Sequence, residues 1–178
     1  ILKKHNKLNS NTIVATSMSN LAFEKFLNSK DIEVIRTQVG DRYVASKMAE
    51  LNLSLGGEQS GHIIVGDFST TGDGLVAALQ ILALIQEQNK PASEVSNIYT
   101  PLPQIIRNVC LKNPEILNNK DFQLAIEKSQ QLFNDNGRVL VRKSGTENLL
   151  RIMAEGENLE IVNIVIDNIE TALKSIIK

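Results

Sequence analysis

Apolar and polar residues alternate along the first half of the chain in blocks that predict strands followed by helices. Residues 12–16 predict a short buried strand, and residues 21–27 form an amphipathic helical pattern directly after Asn20, a residue type that caps helices well. A second strand is predicted at residues 33–37, and a second helix follows Gly40 with apolar residues at helical spacing. This order favours a parallel or mixed sheet covered by helices.

Two longer segments complete this part of the chain. Residues 53–65 are a further β-rich stretch that is interrupted by glycines. Residues 75–88 form a helical segment whose apolar residues go almost all the way round, so we expect this helix to be nearly buried.

Two prolines within residues 99–103 mark a boundary, because proline cannot continue a helix and favours extended backbone. Beyond the boundary the pattern predicts strands at residues 104–110, 138–142 and 149–155, and helices at residues 120–133 and 159–177. We therefore predict an α/β mixed-sheet domain at residues 1–98. A small α+β domain at residues 99–178 follows it, in which two helices cover one face of an antiparallel sheet.

Composition excludes two classes of partner. The 178 residues include 19 basic and 20 acidic side chains without a basic block, which argues against nucleic-acid binding. No apolar run approaches the roughly 20 residues that a membrane-spanning helix needs. The single cysteine, Cys110, indicates a reducing compartment, and we expect it to be a small buried residue. The first five residues look like the end of a helix, so we expect the chain to begin inside a larger protein.

The segment at residues 142–147 has the composition of a phosphate-binding loop. Arg142 can bind a phosphate bidentately, Ser144 and Thr146 add hydroxyl donors, and Gly145 lets backbone N–H groups approach an anion. In extended backbone these three donors would point the same way, and Arg151 on the next strand could add a second guanidinium. The alternative is a solvated hairpin loop. Ser144 lacks the flanking glycines and histidine base of a catalytic nucleophile.

A second candidate site is the glycine-flanked segment at residues 56–62. If its backbone is extended, Glu58, Ser60 and His62 share a face and can hydrogen-bond vicinal sugar hydroxyls. His62 could also transfer a proton near neutral pH. The alternative is a glycine-rich turn with a hydrogen-bonded histidine. A zinc site is a poor interpretation, because only two strong ligands are present.

Two turns that precede helices are weaker candidates. Gly40, Asp41 and Arg42 place two opposite charges beside a glycine at a strand-to-helix connection, where a helix cap with a surface arginine is the alternative. Asp73 would repel an anion, so we interpret residues 71–74 as a helix cap.

Four segments, at residues 37–44, 56–62, 71–75 and 142–147, together resemble the bacterial phosphoglucosamine mutases, a branch of the α-D-phosphohexomutase family. They occur in the family's order over nearly the whole chain. The resemblance implies that residues 1–98 are most of the family's third domain and that residues 99–178 are its fourth, phosphate-binding domain. The chain departs from the family pattern at Asn148, where proline is usual, and at Gln38, where related mutases often carry lysine.

The resemblance also implies roles for the candidate residues. The family's sugar-binding loop maps onto Glu58, Ser60 and His62, and its Gly-Asp-Arg turn, which faces the active-site cleft, maps onto Gly40, Asp41 and Arg42. The family's phosphate loop maps onto Arg142, Ser144, Gly145 and Thr146.

The activity that the resemblance implies is interconversion of glucosamine 6-phosphate and glucosamine 1-phosphate by a cytoplasmic isomerase, feeding UDP-N-acetylglucosamine synthesis. The family's phosphorylated serine and its Mg²⁺-binding aspartates lie in its first two domains, so the chain alone is expected to be inactive and to hold no metal. Its expected partners are a phosphosugar and the missing N-terminal domains. The alternatives are a phosphomannomutase or phosphoglucomutase, and a non-catalytic sugar-phosphate-binding module.

Overall fold

The computed structural model describes residues 1–110, 114–145 and 147–177, and the chain divides into two compact units, Ile1–Thr100 and Pro101–Lys178. In the first unit the strands are β1 Thr12–Thr16, β2 Glu33–Thr37, β3 Leu55–Gly57 and β4 Ile63–Val65, and the helices are α1 Leu21–Asn28, α2 Asp41–Leu51, α3 Gly74–Gln88 and α4 Ala92–Ser96. In the second unit the strands are β5 Gln104–Cys110, β6 Gly137–Lys143 and β7 Leu149–Gly156, and the helices are α5 Lys120–Gln131 and α6 Leu159–Ile177.

The sheet of the first unit has the order β2-β1-β3-β4. Strand β1 is parallel to β2 and β3, while β4 pairs antiparallel with β3. Helix α2 packs on one face, where Val44 and Met48 meet Val14 in an apolar cluster. Because side chains alternate along a strand, Ile13 and Ala15 point to the opposite face, where α1 lies. The predicted mixed sheet with covering helices is confirmed.

Helix α3 forms where the sequence predicts a helix, but the expectation that it is nearly buried is wrong. Leu75 is 72% exposed, Leu79 is 54% exposed and Leu82 is 60% exposed. The helix contacts the sheet at its edge strand β4 and carries more apolar surface than that contact covers. No helix among the described residues combines the length and apolar character needed to cross a membrane.

The second unit is an antiparallel sheet of order β5-β7-β6 with α5 and α6 on one face. Leu150, Ile152 and Ala154 of β7 point towards the helices and join a core that includes Phe122 of α5 and Ile166 of α6. The predicted α+β architecture is confirmed.

The expectation for Cys110 is wrong, because this residue is exposed. Strand β5 alternates between half-buried and exposed positions, and Cys110 falls on the exposed side at the end of the strand.

Candidate functional site

The loop between β3 and β4 brings Glu58, Ser60 and His62 together. The Ser60 hydroxyl lies 2.9 Å from Nδ1 of His62, and the Glu58 carboxylate lies 3.2 Å from the same nitrogen. The Glu58 side chain is 11% exposed and the imidazole is 56% exposed. A carboxylate can only accept, so it favours a proton on Nδ1, which leaves Nε2 of the neutral ring as an acceptor on the exposed side.

A tight hairpin, and not the expected extended backbone, produces this convergence. Gly57 pairs with Ile63 in the antiparallel ladder, and the Glu58 N–H donates to the carbonyl of His62 over 3.0 Å. Gly61 has a φ of 98°, which favours glycine because it has no Cβ. The five-residue turn therefore gathers side chains that strand alternation alone would have placed along a line.

The turn at Gly40, Asp41 and Arg42 lies at the same edge of the sheet as this loop. It follows the carboxyl end of β2, the loop follows the carboxyl end of β3, and both strands are parallel to β1 between them. Loops that follow the carboxyl ends of parallel strands are a common place for ligand binding.

The two charged residues of that turn do not form the ion pair that their adjacency suggests. The Asp41 carboxylate accepts a hydrogen bond from the Arg42 backbone N–H over 2.8 Å, which stabilises the start of α2. The Arg42 guanidinium instead stacks on Tyr43, 4.6 Å from the ring centroid, and donates to its hydroxyl over 2.7 Å. Tyr43 thus orients the exposed side chain of Arg42, a role that the sequence motif did not reveal.

The cap that begins α3 packs against the same loop. The Asp73 carboxylate accepts from the backbone N–H groups of Leu75 and Val76, both over 3.0 Å, so the predicted helix cap is confirmed. A Cβ on Gly72 would lie 3.7 Å from Cβ of His62. Residues 71–74 therefore support the position of His62.

In the second unit, Arg142 and Arg151 are direct cross-strand partners of β6 and β7. Both point away from the helices, because the neighbouring residues Val141 and Ile152 point into the core. The Nε atom of each arginine is buried and has no hydrogen-bond partner among the described residues. Burial, and to a lesser extent the charge of Arg151, lower the pKa of Arg142 below its ordinary value. Two crowded cations with unused donors form a site suited to an anion.

The loop beyond Arg142 has a mixed character. The Ser144 side chain is buried, and its hydroxyl accepts from the Glu147 backbone N–H over 3.3 Å, so it stabilises the turn. Glu147 pairs with Arg151 over 2.8 Å. Gly145 is exposed, and a Cβ there would meet no atom of the described residues within 4 Å. The remaining predicted donor, Thr146, lies outside the described residues.

Asn108 is a candidate that sequence reasoning missed. It is exposed on β5 and is the cross-strand partner of Arg151, so the residues Asn108, Arg151 and Arg142 form one row across the three strands. The register of an antiparallel sheet is the signal that reveals this row, and it requires the pairing of all three strands to be known.

The described residues contain no group of three or more His, Cys, Asp or Glu side chains that could hold a metal ion.

Comparison with known proteins identifies similar domains over most of the chain. Residues 1–102 match the phosphoglucomutase/phosphomannomutase alpha/beta/alpha domain III, and residues 108–172 match the C-terminal domain of the same family. A phosphoglucosamine mutase of Parvibaculum lavamentivorans is 46% identical over 97% of this chain, and one of Rhodopseudomonas palustris is 49% identical over 94% of it. The chain spans 38% and 37% of the length of these two relatives.

Solved structures share the fold at lower identity. An N-acetylphosphoglucosamine mutase of Aspergillus fumigatus aligns with a TM-score of 0.80 at 18% identity, over 96% of this chain and 39% of that one. A structure of an enzyme with the same name, from the same fungus, in complex with GlcNAc-6P and magnesium, aligns with a TM-score of 0.78 at 18% identity, over 98% of this chain and 41% of that one. An N-acetylglucosamine-phosphate mutase of the α-D-phosphohexomutase superfamily, in its substrate complex, aligns with a TM-score of 0.74 at 22% identity, over 91% and 38% of the two chains.

Proposed function

The chain belongs to the phosphoglucomutase/phosphomannomutase family, and from that premise we propose that it is the sugar- and phosphate-binding part of a phosphoglucosamine mutase. The full-length enzyme interconverts glucosamine 6-phosphate and glucosamine 1-phosphate in the cytoplasm. Relatives named phosphoglucosamine mutase at 46–49% identity support this choice of sugar. The single observation that carries the proposal is the cross-strand pair Arg142 and Arg151, whose buried Nε donors have no partner among the described residues.

The second unit binds the phosphate group that is not being transferred. A phosphate dianion offers several acceptor oxygens, so it can take hydrogen bonds from both guanidinium groups and offset the repulsion between them. Arg142 and Arg151 supply the charge, and Gly145 leaves room for the phosphate. Ser144 holds the turn, and its hydroxyl proton remains available as a donor.

The first unit binds the sugar hydroxyls. Glu58 accepts, Ser60 both donates and accepts, and His62 presents Nε2 from its exposed side, so the loop can bind a pair of vicinal hydroxyls. Asp41 and Arg42, at the same edge of the sheet, contribute a further acceptor and a further donor. We propose His62 as the proton-transfer residue of this loop, since an imidazole can accept and donate a proton near neutral pH.

Phosphoryl transfer itself belongs to other parts of the full-length enzyme. We propose that a phosphoserine and a Mg²⁺ ion are held by domains that this chain does not include, since it spans under two-fifths of the length of its relatives. The chain's contribution is positioning: it holds the phosphate and the hydroxyls while the substrate presents one end and then the other. Positioning is a large part of phosphoryl-transfer catalysis.

Two other functions compete with this proposal. A phosphomannomutase or phosphoglucomutase would use the same site, and the family description includes both activities. A non-catalytic sugar-phosphate-binding module would bind but never turn over, even in the full-length protein.

The test separates binding from turnover. We expect the 178-residue chain to bind glucosamine 6-phosphate in calorimetry and to show no mutase activity, whereas the full-length protein shows activity. Activity of the isolated chain would contradict the proposed division of labour. An inactive full-length protein that still binds the sugar phosphate would favour the non-catalytic module.

A further inference from the structure

The loop that follows β1 lies in the middle of the ligand-binding edge of the first unit. Strand β1 is central in the sheet and parallel to both β2 and β3. Its carboxyl end therefore lies between the turn at residues 40–42, which follows β2, and the loop at residues 58–62, which follows β3. The proposed function assigns substrate contacts to these two segments and none to residues 17–20 between them.

One polar side chain of this loop is available to a ligand. Ser17 is half-buried, and its hydroxyl makes no hydrogen bond to any other described residue. Met18 and Ser19 are buried, with exposed fractions of 8% and 6%. The Asn20 side chain accepts from the Ala22 N–H over 3.0 Å and so caps α1. Ser17 is therefore the loop residue whose side-chain polar group the fold does not use.

Backbone hydrogen bonds fix the position of Ser17. Its N–H donates to the carbonyl of Thr37 over 2.8 Å, so the contact between β1 and β2 continues one residue beyond the end of β1. The Ser19 N–H donates to the carbonyl of Thr16 over 3.0 Å, which closes a four-residue turn with Ser17 at its second position. Ser17 thus lies in a tight turn directly at the carboxyl end of the central strand.

Arg36 of β2 holds this turn at both of its ends. Its Nη1 donates to the carbonyl of Thr16 over 3.2 Å and to the carbonyl of Ser19 over 2.7 Å. Its Nε donates to the Glu24 carboxylate of α1 over 2.7 Å, and the Arg36 side chain is only 18% exposed. A guanidinium carries its donors in a fixed plane, so it holds these three acceptors in one geometry that a lysine ammonium does not reproduce. The turn is therefore preorganised before a ligand binds.

We infer that Ser17 is a further substrate-binding residue and that Arg36 is its positioning residue. The Ser17 hydroxyl can both donate and accept, so it binds a hydroxyl group of the sugar between the groups that the two flanking segments bind. The rigid turn lowers the entropic cost of binding, because the serine is already held in place. The inference rests on the proposed function, since it takes a phosphosugar as the ligand at this edge of the sheet.

The test is calorimetric binding of glucosamine 6-phosphate, and separately of inorganic phosphate, to the full-length protein. Ser17→Ala removes a hydroxyl that the fold does not use, so Tm should stay unchanged while glucosamine 6-phosphate binds about 3–10-fold more weakly. The affinity for inorganic phosphate, which the proposed function assigns to the second unit, should not change. Ser29→Ala is the matched control, because Ser29 is exposed at the end of α1 and should leave both affinities unchanged.

Arg36→Lys tests the positioning role in a double-variant cycle. Alone it should weaken the binding of glucosamine 6-phosphate, whereas in the Ser17→Ala background it should cause no further loss. A merely structural arginine would cost the same affinity in both backgrounds, which would contradict its positioning role. The Ser17→Ala measurement decides the assignment of Ser17 by itself if the lysine variant fails to fold.

Two results would overturn the inference and leave the proposed function intact. The first is unchanged affinity of Ser17→Ala for glucosamine 6-phosphate, while Glu58→Gln in the flanking loop binds it more weakly. The second is an equal loss of affinity for inorganic phosphate in Ser17→Ala, which would indicate a general disturbance of the protein. Absence of glucosamine 6-phosphate binding to the unmodified protein would instead contradict the proposed function and the inference together.

Discussion

Replacing Arg142 by glutamine should have opposite effects on stability in the absence and in the presence of phosphate. Without an anion, Arg142 faces the like charge of Arg151 on the neighbouring strand, and its Nε is buried without a partner among the described residues. Like charges directly opposite in a sheet cost roughly 0.2–1 kcal/mol. The variant should therefore gain up to about 1 kcal/mol in free energy of unfolding, which raises Tm by a few degrees.

With phosphate the order reverses. A bidentate, charge-assisted interaction is worth about 3 kcal/mol, so the variant should bind phosphate roughly 100-fold more weakly. At a phosphate concentration 100 times the Kd of the unmodified chain, that chain gains about 2.7 kcal/mol and the variant about 0.4 kcal/mol. The unmodified chain is then the more stable of the two by about 1 kcal/mol or more.

The assay is thermal unfolding of both chains in a titration of inorganic phosphate, with ionic strength held constant by sodium chloride so that general screening does not change. Arg107→Gln is the matched control, because Arg107 lies on β5 of the same unit but pairs with Glu170 over 2.7 Å. Its response to phosphate should equal that of the unmodified chain. Equal phosphate responses of Arg142→Gln and the unmodified chain would refute the assignment of Arg142 to an anion site.

Two further predictions concern the framework. Gly56→Ala should lower the free energy of unfolding by about 1–3 kcal/mol in urea denaturation, because the added Cβ would lie 2.6 Å from the sulfur of Met48. Gly74→Ala is the control: its added Cβ would meet no described atom within 4 Å, so the free energy of unfolding should not fall in this way. A hydrogen bond from Lys174 lowers the pKa of Glu170 below its ordinary 4.5, so Lys174→Gln should destabilise the chain above pH 4.5. The difference in free energy of unfolding between the variant and the unmodified chain should close as the pH falls through the lowered pKa. A difference that stays constant down to pH 2 would contradict this cause.

The sequence was sufficient to predict those strands and helices whose apolar pattern fits only one kind of secondary structure. The strands and helices of the second unit follow directly from alternation and helical spacing, since one face of each is apolar and the other polar. The pairing of Arg142 with Arg151 also follows once the hairpin turn is located, because antiparallel register is counted outward from the turn.

Other features depend on neighbours that a pattern does not identify. The apolar character of α3 predicts that another element covers it, but the sequence does not identify that element. The prediction that this helix is nearly buried was therefore wrong for the described residues. The convergence of Glu58, Ser60 and His62 was expected from extended backbone, whereas a turn with Gly61 at positive φ produces it. The stacking of Arg42 on Tyr43 depends on side-chain conformation, which periodicity does not report.

The central claim is tested most directly by the substrate preference of the full-length protein. The measurement is kcat/KM for glucosamine 6-phosphate, glucose 6-phosphate and mannose 6-phosphate under identical conditions. A phosphoglucosamine mutase converts glucosamine 6-phosphate with the highest kcat/KM of the three. A higher value for glucose 6-phosphate or mannose 6-phosphate would contradict the account and assign the protein to one of the other mutases of its family.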